Sequence, residues 1–382
     1  MNEIEFKNST EVIFCEDVSQ KIKDYANRLG AKRLLFVTGK NSSFRIAEEL
    51  IKQTDDAVNV NMFVGVETNP REEIILKAFA MAESFKPDLI LTVGGGSVHD
   101  CGKAVSVLLS NNNSKILEDY TVTGKLSVPG IEKAIPVITI PTIVGSGAEV
   151  SPAALVRIGN EKKVIFSPLL HPVATLINVS YMRNIPISIL ARTAFDSLIQ
   201  SLEGYISENA NTLSDAFALA SVRYYCESLS FMKSESLSDE TFRKLAIASV
   251  FSSYVCSVSG VGAIHAFSDP LSGRFNIHHA DALAMVCIET LKFNFKTTKA
   301  DLVRLANAIN VEERDITDVT DFILSTIQSI IDSWKLGNDK PHVDLDIITD
   351  MVAESNNPDM AGNPYTFSTE EMQEVFRKSL LV

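Results

Sequence analysis

The sequence predicts an α/β half followed by an all-α half, and three observations carry that expectation. Between Arg33 and Pro141, short apolar runs alternate with amphipathic stretches of helical period, the order that builds a parallel sheet crossed by helices. The runs RLLFVT and DLILTV are apolar almost throughout, as strands are when helices cover both faces of a sheet. After Pro186 the strand signals stop and apolar residues recur at three- and four-residue spacing, as in Leu190, Ala194, Leu198 and Leu202, which is a helical pattern. At 382 residues the chain is longer than one hydrophobic core ordinarily supports, so two domains are expected, 1–182 and 183–382.

Element by element, RLLFVT is the first strand of the alternating region, followed by a helix from Phe44 to Gln53. VNVNMFV, a helix from Glu72 to Phe85, DLILTV, a helix from Val98 to Leu109 and AIPVITI continue the alternation. Gly, Asn and Pro punctuate the strand ends. ALVRI and VATLINV then read as two short strands on either side of a turn around Gly159 and the apolar segment KKVIF. These strands close the first domain.

Composition narrows the function classes. A formal charge of −13, with Lys and Arg dispersed singly, would repel a phosphate backbone, so nucleic acid is not expected as a partner. The opening MNEIEFKNST carries acidic residues where a signal peptide needs a basic and then an apolar start, and no apolar run approaches the ~18 residues of a membrane span. A soluble, cytoplasmic protein without a membrane partner is expected. The five cysteines are scattered without a CxxC pair and read as buried free thiols, Cys101 in the glycine-loop region included.

DLILTV runs straight into GGGS and then VHDCGKAVSVLL. Gly94, Gly95, Gly96 and Ser97 therefore join a buried strand to a helix N-terminus, where free amides and the helix dipole attract a phosphate. Asp100 and Lys103, in the following helix, are counted with this cofactor-binding group. A second polar loop follows AIPVITI, and there Thr142, Ser146 and Gly147 are placed to meet the rest of a nucleotide, because ligands of open α/β sheets gather at strand carboxyl ends. After RLLFVT comes TGKNSSF. Gly39 and Lys40 stand where an NAD-specific site usually has a carboxylate, and Lys40, Ser42, Ser43 or Arg45 could bind a 2′-phosphate, so NADP is ranked slightly above NAD.

The second half holds a metal-ligand pattern. ARTAFDSLIQSLEGY places Asp196 and Gln200 one helical turn apart, on neighbouring positions of one face. GVGAIHAFSDPLSGRFNIHHADALAM contains His265, His278 and His279, three of the six histidines of the chain. Asp196, His265 and His279 form a carboxylate and two-imidazole set suited to a divalent ion, with Gln200 offering a weaker amide oxygen.

GGGSVHDCGK, PTIVGSGAEVS, FDSLIQSLEGYIS and HAFSDPLSGRFNIHH stand in the order and spacing of the iron-containing alcohol dehydrogenase family, and NPYTFSTEEM looks like its closing segment. The chain resembles that family over nearly its whole length. The resemblance implies an N-terminal Rossmann-like domain that binds NAD or NADP, a helical C-terminal domain that holds Fe²⁺ or Zn²⁺, and reversible oxidation of an alcohol to an aldehyde or ketone. This is the architecture shared with dehydroquinate synthase, and a homodimer is implied. The family's metal aspartate falls on Asp196 and two of its metal histidines on His265 and His279. Its remaining metal histidine falls on Gln200, and a further active-site histidine falls on Asp269.

Asp269 and His278 are the candidates for moving the hydroxyl proton, as groups beside the metal. Phe195, Phe267, Arg274 and Phe275 are expected to line the substrate pocket, with Arg274 able to hold an anionic group of a sugar-derived or acidic substrate. Two other functions remain open at this point: a cofactor-binding protein that has lost catalysis, and a metal-dependent lyase or cyclase like dehydroquinate synthase.

Overall fold

The computed structural model describes residues 6–54, 58–111, 113–123, 130–159, 161–231, 237–312 and 315–380. It divides into two compact units, Lys7–Ile185 and a second that runs from Pro186 and takes in Phe6. In the second unit the Phe6 ring packs against Phe217 and Tyr254 at centroid separations of 5.4 and 5.3 Å.

The first unit is built on a six-stranded, all-parallel sheet. The strands are β1 (Glu11–Phe14), β2 (Arg33–Thr38), β3 (Asn59–Val64), β4 (Leu89–Gly94), β5 (Val137–Pro141) and β8 (Ala174–Ile177), in the spatial order β1-β8-β5-β4-β2-β3. Helices α1 (Val18–Leu29), α2 (Ser42–Lys52), α3 (Glu72–Phe85) and α4 (Gly96–Ser110) connect them. Alternate side chains of β2 leave on opposite faces. Leu34 and Phe36 join a core with Ile22, Ala26 and Leu50 of α1 and α2, whereas Leu35 and Val37 join Ile75, Ala78 and Ala104 of α3 and α4. Each such fully buried Leu or Phe contributes about 1.5–3 kcal/mol.

The expected alternation of strand and helix is present, with three differences. β1 and α1 precede RLLFVT, where the short EVIF gave too little pattern to identify an edge strand. KKVIF is not a connecting segment. It is strand β7 (Glu161–Phe166), antiparallel to β6 (Ala153–Ile158) in a two-stranded sheet of its own. Of the two short strands expected here, therefore, only VATLINV enters the main sheet.

In this sheet β3 lies on one side of β2, and β4 and β5 lie on the other. The chain reverses its direction of travel between β2 and β4, which is a switch point where the loops at strand carboxyl ends part to leave a crevice.

The second unit consists of α5 (Ile187–Ile206), α6 (Thr212–Phe231), α7 (Asp239–Ser259), α8 (Ala263–Phe275), α9 (His279–Asn294), α10 (Leu302–Ile309), α11 (Val319–Trp334), α12 (Leu345–Ser355) and α13 (Thr369–Leu380). Between α7 and α8 the chain turns through 105°. Gly260, at φ 70°, permits this turn because it adopts a left-handed conformation without a Cβ clash. Among the described residues no single helix is long and apolar enough to cross a membrane.

One buried group gives the first unit a pH dependence. His99 of α4 is 1% exposed, with Nδ1 2.8 Å from Thr92 Oγ1 and Nε2 without a hydrogen-bond partner. Burial, reinforced by the Lys103 ammonium, pushes its pKa down to about 3, while the unfolded chain takes the proton near pH 6.5. The unfolded state therefore binds more protons between those values. Stability from this source is complete above about pH 6.5 and declines as pH falls toward 3, at up to about 1.4 kcal/mol per pH unit. Urea-unfolding measurements between pH 7 and 4.5 should show a shallower acid decline for His99→Gln than for the parent protein, and equal declines would exclude His99 as its source.

Candidate metal centre and nucleotide loops

α5 carries Asp196, Gln200 and Glu203 at successive turns, so the three lie along neighbouring rows of one helix side. His265 is in the first turn of α8 and His279 is the first residue of α9. The fold brings the three expected ligands together. Asp196 Oδ1 is 3.6 Å from His265 Nε2 and 3.9 Å from His279 Nε2, and one ligand atom from each residue lies within 4.8 Å of the others. Separations of 3.6 and 3.9 Å are close to the roughly 3.4 Å between ligand atoms that each stand about 2.1 Å from a tetrahedral ion.

Glu203 completes this centre, and the sequence reading missed it. Its side chain is 1% exposed. Oε2 is 2.5 Å from His265 Nδ1, and Oε1 accepts from the Ile264 amide at 2.6 Å. The carboxylate thus holds one face of the imidazole and turns Nε2 toward Asp196, the arrangement by which an outer carboxylate fixes the tautomer of a metal-ligating histidine. Its signal in the sequence is an acidic residue seven positions after Asp196 in an otherwise apolar helix stripe. Burial works against a charged His265 ring, but hydrogen bonds to Asp196 and Glu203 outweigh it and raise the pKa to about 10. Two carboxylates thus flank the His265 ring, an arrangement a divalent cation would satisfy. The donor set fits Zn²⁺ or Fe²⁺.

Gln200, 6% exposed, donates through Nε2 to Ser252 Oγ at 2.9 Å, and that hydroxyl spends its hydrogen on the Ser197 carbonyl at 3.1 Å. One of its two amide hydrogens is thereby engaged, and the amide oxygen is the atom of Gln200 with lone pairs suited to a metal. Asp269 is half-buried, one turn beyond His265 on α8. His278 caps α9, its Nδ1 accepting from the Ala280 amide at 3.3 Å. An imidazole whose Nδ1 lone pair is spent in this way carries its hydrogen on Nε2, so His278 is a donor through that atom. Burial pushes the His278 pKa down, in keeping with a neutral ring.

Of the expected pocket residues, Phe195 and Phe267 are 0% exposed members of the core. Arg274 is committed elsewhere, with its guanidinium on Glu354 at 2.5 Å and Asp350 at 3.2 Å. Phe275 lines a cavity together with His278.

In the first unit the loops after β2, β4 and β5 are neighbours at the carboxyl ends of adjacent strands. The Thr142 amide donates to the Gly94 carbonyl at 2.9 Å, and Ser146 lies beside Gly96. Ser97 Oγ accepts from the Asn69 amide at 3.0 Å. Gly147 has φ 74°, a left-handed turn. Gly94 and Gly95 serve packing as well as access: a Cβ at Gly94 would meet Val98 at 2.6 Å and one at Gly95 would meet Ile143 at 2.8 Å.

Asp100 and Lys103 belong to the support beneath these loops. Lys103 is 0% exposed and donates to the carbonyls of Ala148, Ser151 and Ala153 at 2.6, 2.7 and 2.9 Å. All three ammonium hydrogens are engaged, so a phosphate finds none to accept. Burial raises the pKa of Asp100 against the pull of Lys103. Gly39 is packed against Ser43 and the Val66 carbonyl, next to Ser42 at the start of α2. Lys40 pairs with Glu67 at 3.2 Å, so a carboxylate does stand near the expected ribose position.

If Glu203 orients the metal-ligating imidazole, Glu203→Gln should weaken Zn²⁺ binding about 10- to 100-fold in competition with a chromophoric chelator, with helix content unchanged by circular dichroism. Unaltered affinity in that folded variant would remove Glu203 from the centre.

Comparison with known proteins matches this geometry to one family. Residues 9–179 match the family model for iron-containing alcohol dehydrogenase, and residues 190–380 match the model for the C-terminal part of that family. Long-chain-alcohol dehydrogenase 1 of Geobacillus thermodenitrificans is 27% identical over 298 residues, 76% of this chain and 74% of that protein. The 1,3-propanediol dehydrogenase of Citrobacter freundii is 24% identical over 369 residues, 92% of each. The crystal structure of sulfoacetaldehyde reductase from Bifidobacterium kashiwanohense, in complex with NAD+, has the same fold, with a TM-score of 0.89, 22% identity and 99% of both chains covered. With both family models spanning nearly its whole length, the chain belongs to the iron-containing alcohol dehydrogenase family, oxidoreductases that act on CH–OH groups.

Proposed function

We propose that this chain is a metal-dependent, NAD(P)-linked alcohol dehydrogenase and aldehyde reductase, acting on a small, polar alcohol or aldehyde. The observation that supports it most directly is the Asp196, His265 and His279 cluster with Glu203 behind it. A decayed site has no reason to keep a buried carboxylate aligned on a ligand imidazole. In this reading Asp196, His265 and His279 hold the ion, and Gln200 contributes its amide oxygen at most. When bound, the ion supplies Lewis acidity to the substrate oxygen and the nicotinamide supplies the hydride acceptor or donor.

The remaining work belongs to the chain. The loops 94–97 and 142–147, beside the helix α4 N-terminus, bind the phosphates of the nucleotide through backbone amides. Asp269 takes the hydroxyl proton during oxidation and returns it during reduction, and His278 offers its Nε2–H to the substrate as a hydrogen-bond donor without transferring it. Lys103 acts by holding the 148–153 segment in place. The Lys40 and Glu67 pair admits both coenzymes, since the ammonium attracts a 2′-phosphate and the carboxylate accepts from a 2′-hydroxyl.

Asp196→Ala should lose both bound metal, read by elemental analysis, and at least about a hundredfold in kcat/KM for aldehyde reduction, the equivalent of about 2.7 kcal/mol of transition-state stabilisation. Full activity in that variant would overturn the proposal. Glu67→Gln should shift coenzyme selectivity toward NADPH by up to about fivefold, the scale of one exposed ionic interaction of about 0.2–1 kcal/mol, and steady-state kinetics with both coenzymes would reveal no shift if Glu67 lies outside the site.

A further inference from the structure

Within the helical unit a cavity of about 510 Å³ is bordered by Arg192, Phe275, His278, Asp281 and Lys335, among others. It adjoins the metal-ligand cluster along the chain in two places. Arg192 precedes Asp196 by one turn of α5, so the two side chains occupy neighbouring positions of one face, and His278 directly precedes His279. The volume exceeds the space a two- or three-carbon alcohol needs.

Besides Asn276, Asn338 and His342, which offer both donors and acceptors, the cavity has three cationic or N–H groups set against two carboxylates. Asp281 is its half-buried carboxylate, and both oxygens are taken: Oδ2 accepts from Arg192 Nε at 2.8 Å and Oδ1 from the Gly337 amide at 3.1 Å. Arg192 Nη1 donates to the Ser188 carbonyl at 3.3 Å, and Nη2 has no acceptor among the described residues. Lys335 likewise has neither a hydrogen-bond nor an ion-pair partner there, and Asp318 caps the start of α11 while Lys335 itself sits in the left-handed C-cap of that helix. His278 adds Nε2–H, because Nδ1 is occupied by the Ala280 amide. Asp339, exposed at the rim, is the opposing charge. A guanidinium edge, an ammonium and an imidazole N–H with no protein acceptor are what an oxyanion would satisfy.

We infer that this cavity holds an anionic group, a carboxylate or a phosphate, at the end of the substrate remote from its reacting carbon, with Arg192 and Lys335 as specificity-determining residues. The inference rests on the reading of Asp196, His265 and His279 as the reacting centre, and it moves to Arg192 and Lys335 the role that the sequence suggested for Arg274.

Two measurements on the metal-loaded protein test it. The first compares reduction of chain-matched aldehydes, succinate semialdehyde against butanal and glycolaldehyde phosphate against glycolaldehyde. The charged partner of one pair should be preferred at least tenfold in kcat/KM, and the pair identifies whether carboxylate or phosphate is read. Arg192→Gln and Lys335→Met should each reduce that preference about tenfold, chiefly through KM. Lys335 is exposed, so its variant remains informative even if loss of the Arg192 and Asp281 pair disturbs folding. The second titrates succinate and inorganic phosphate against the fluorescence of Trp334, the single tryptophan of the chain and the neighbour of Lys335. Saturable binding should weaken about tenfold in both variants. Equal turnover of charged and neutral aldehydes, with no anion effect on fluorescence, would overturn this inference and leave the dehydrogenase reading standing. Anion binding that is lost in the variants, with no aldehyde reduced, would overturn the dehydrogenase reading and leave the anion site standing.

Discussion

The second unit is organised around the buried carboxylate of Glu203. An ionised carboxylate removed from water is costly unless its oxygens are satisfied, and here one oxygen takes the Ile264 amide and the other meets His265 Nδ1. That requirement fixes the start of α8 against the middle of α5. The fixation is tight on the neighbouring side too, because a Cβ at Gly262 would come within 2.9 Å of both Glu203 Oε1 and Asn363 Oδ1. Asn363 receives the Ala263 amide at 3.0 Å and exchanges hydrogen bonds with Asn294 at 2.8 and 3.1 Å. The first amides of α8 are therefore capped from α5 and from the segment before α13. The His265 imidazole inherits its orientation from this network, and a change in the remote 363 segment would reach the Asp196, His265 and His279 cluster through the α8 N-terminus.

A similar use of a buried charge supports the glycine loops of the first unit. Lys103 gives its three hydrogens to three carbonyls of the 148–153 segment, the segment between the second polar loop and β6. An ammonium with every donor used tolerates burial far better than a bare one. It ties α4, which begins at the GGGS turn, to the chain that leaves β5. The two loops are held in register from below as well as through the hydrogen bond between Thr142 and Gly94. Polar groups in both units thus set geometry, while the apolar layers on either side of the sheet and between the helices supply the bulk of the stability.

The charge pattern of the helical unit separates residues of one formal type into different tasks. Arg274 and Arg192 are both guanidinium groups beside the α8 and α9 region, yet Arg274 is closed by Glu354 and Asp350, whereas Arg192 is only partly used by Asp281 and Ser188. His278 and His279 are adjacent in sequence, but one is a helix cap with a committed Nδ1 and the other presents Nε2 to Asp196. Adjacent positions at a helix start point about 100° apart, so two neighbouring histidines cannot readily share one ligand.

By itself the sequence determined the parallel α/β half, the helical half and the order of most strands and helices, and it singled out Asp196, His265 and His279, which the fold brings together. These are read from local periodicity, glycine punctuation and the spacing of residue types, all of which are properties of short windows. The edge strand β1 and the pairing of KKVIF with ALVRI were not legible, because a strand of four residues has little pattern and pairing partners are chosen by tertiary contacts. Glu203, the engagement of Lys103 with carbonyls, the closure of Arg274 by Glu354 and the pairing of Lys40 with Glu67 were decided only by the tertiary structure. In each case the side chain's task depends on which group stands at its tip, and for residues far apart in the chain only the fold sets that distance.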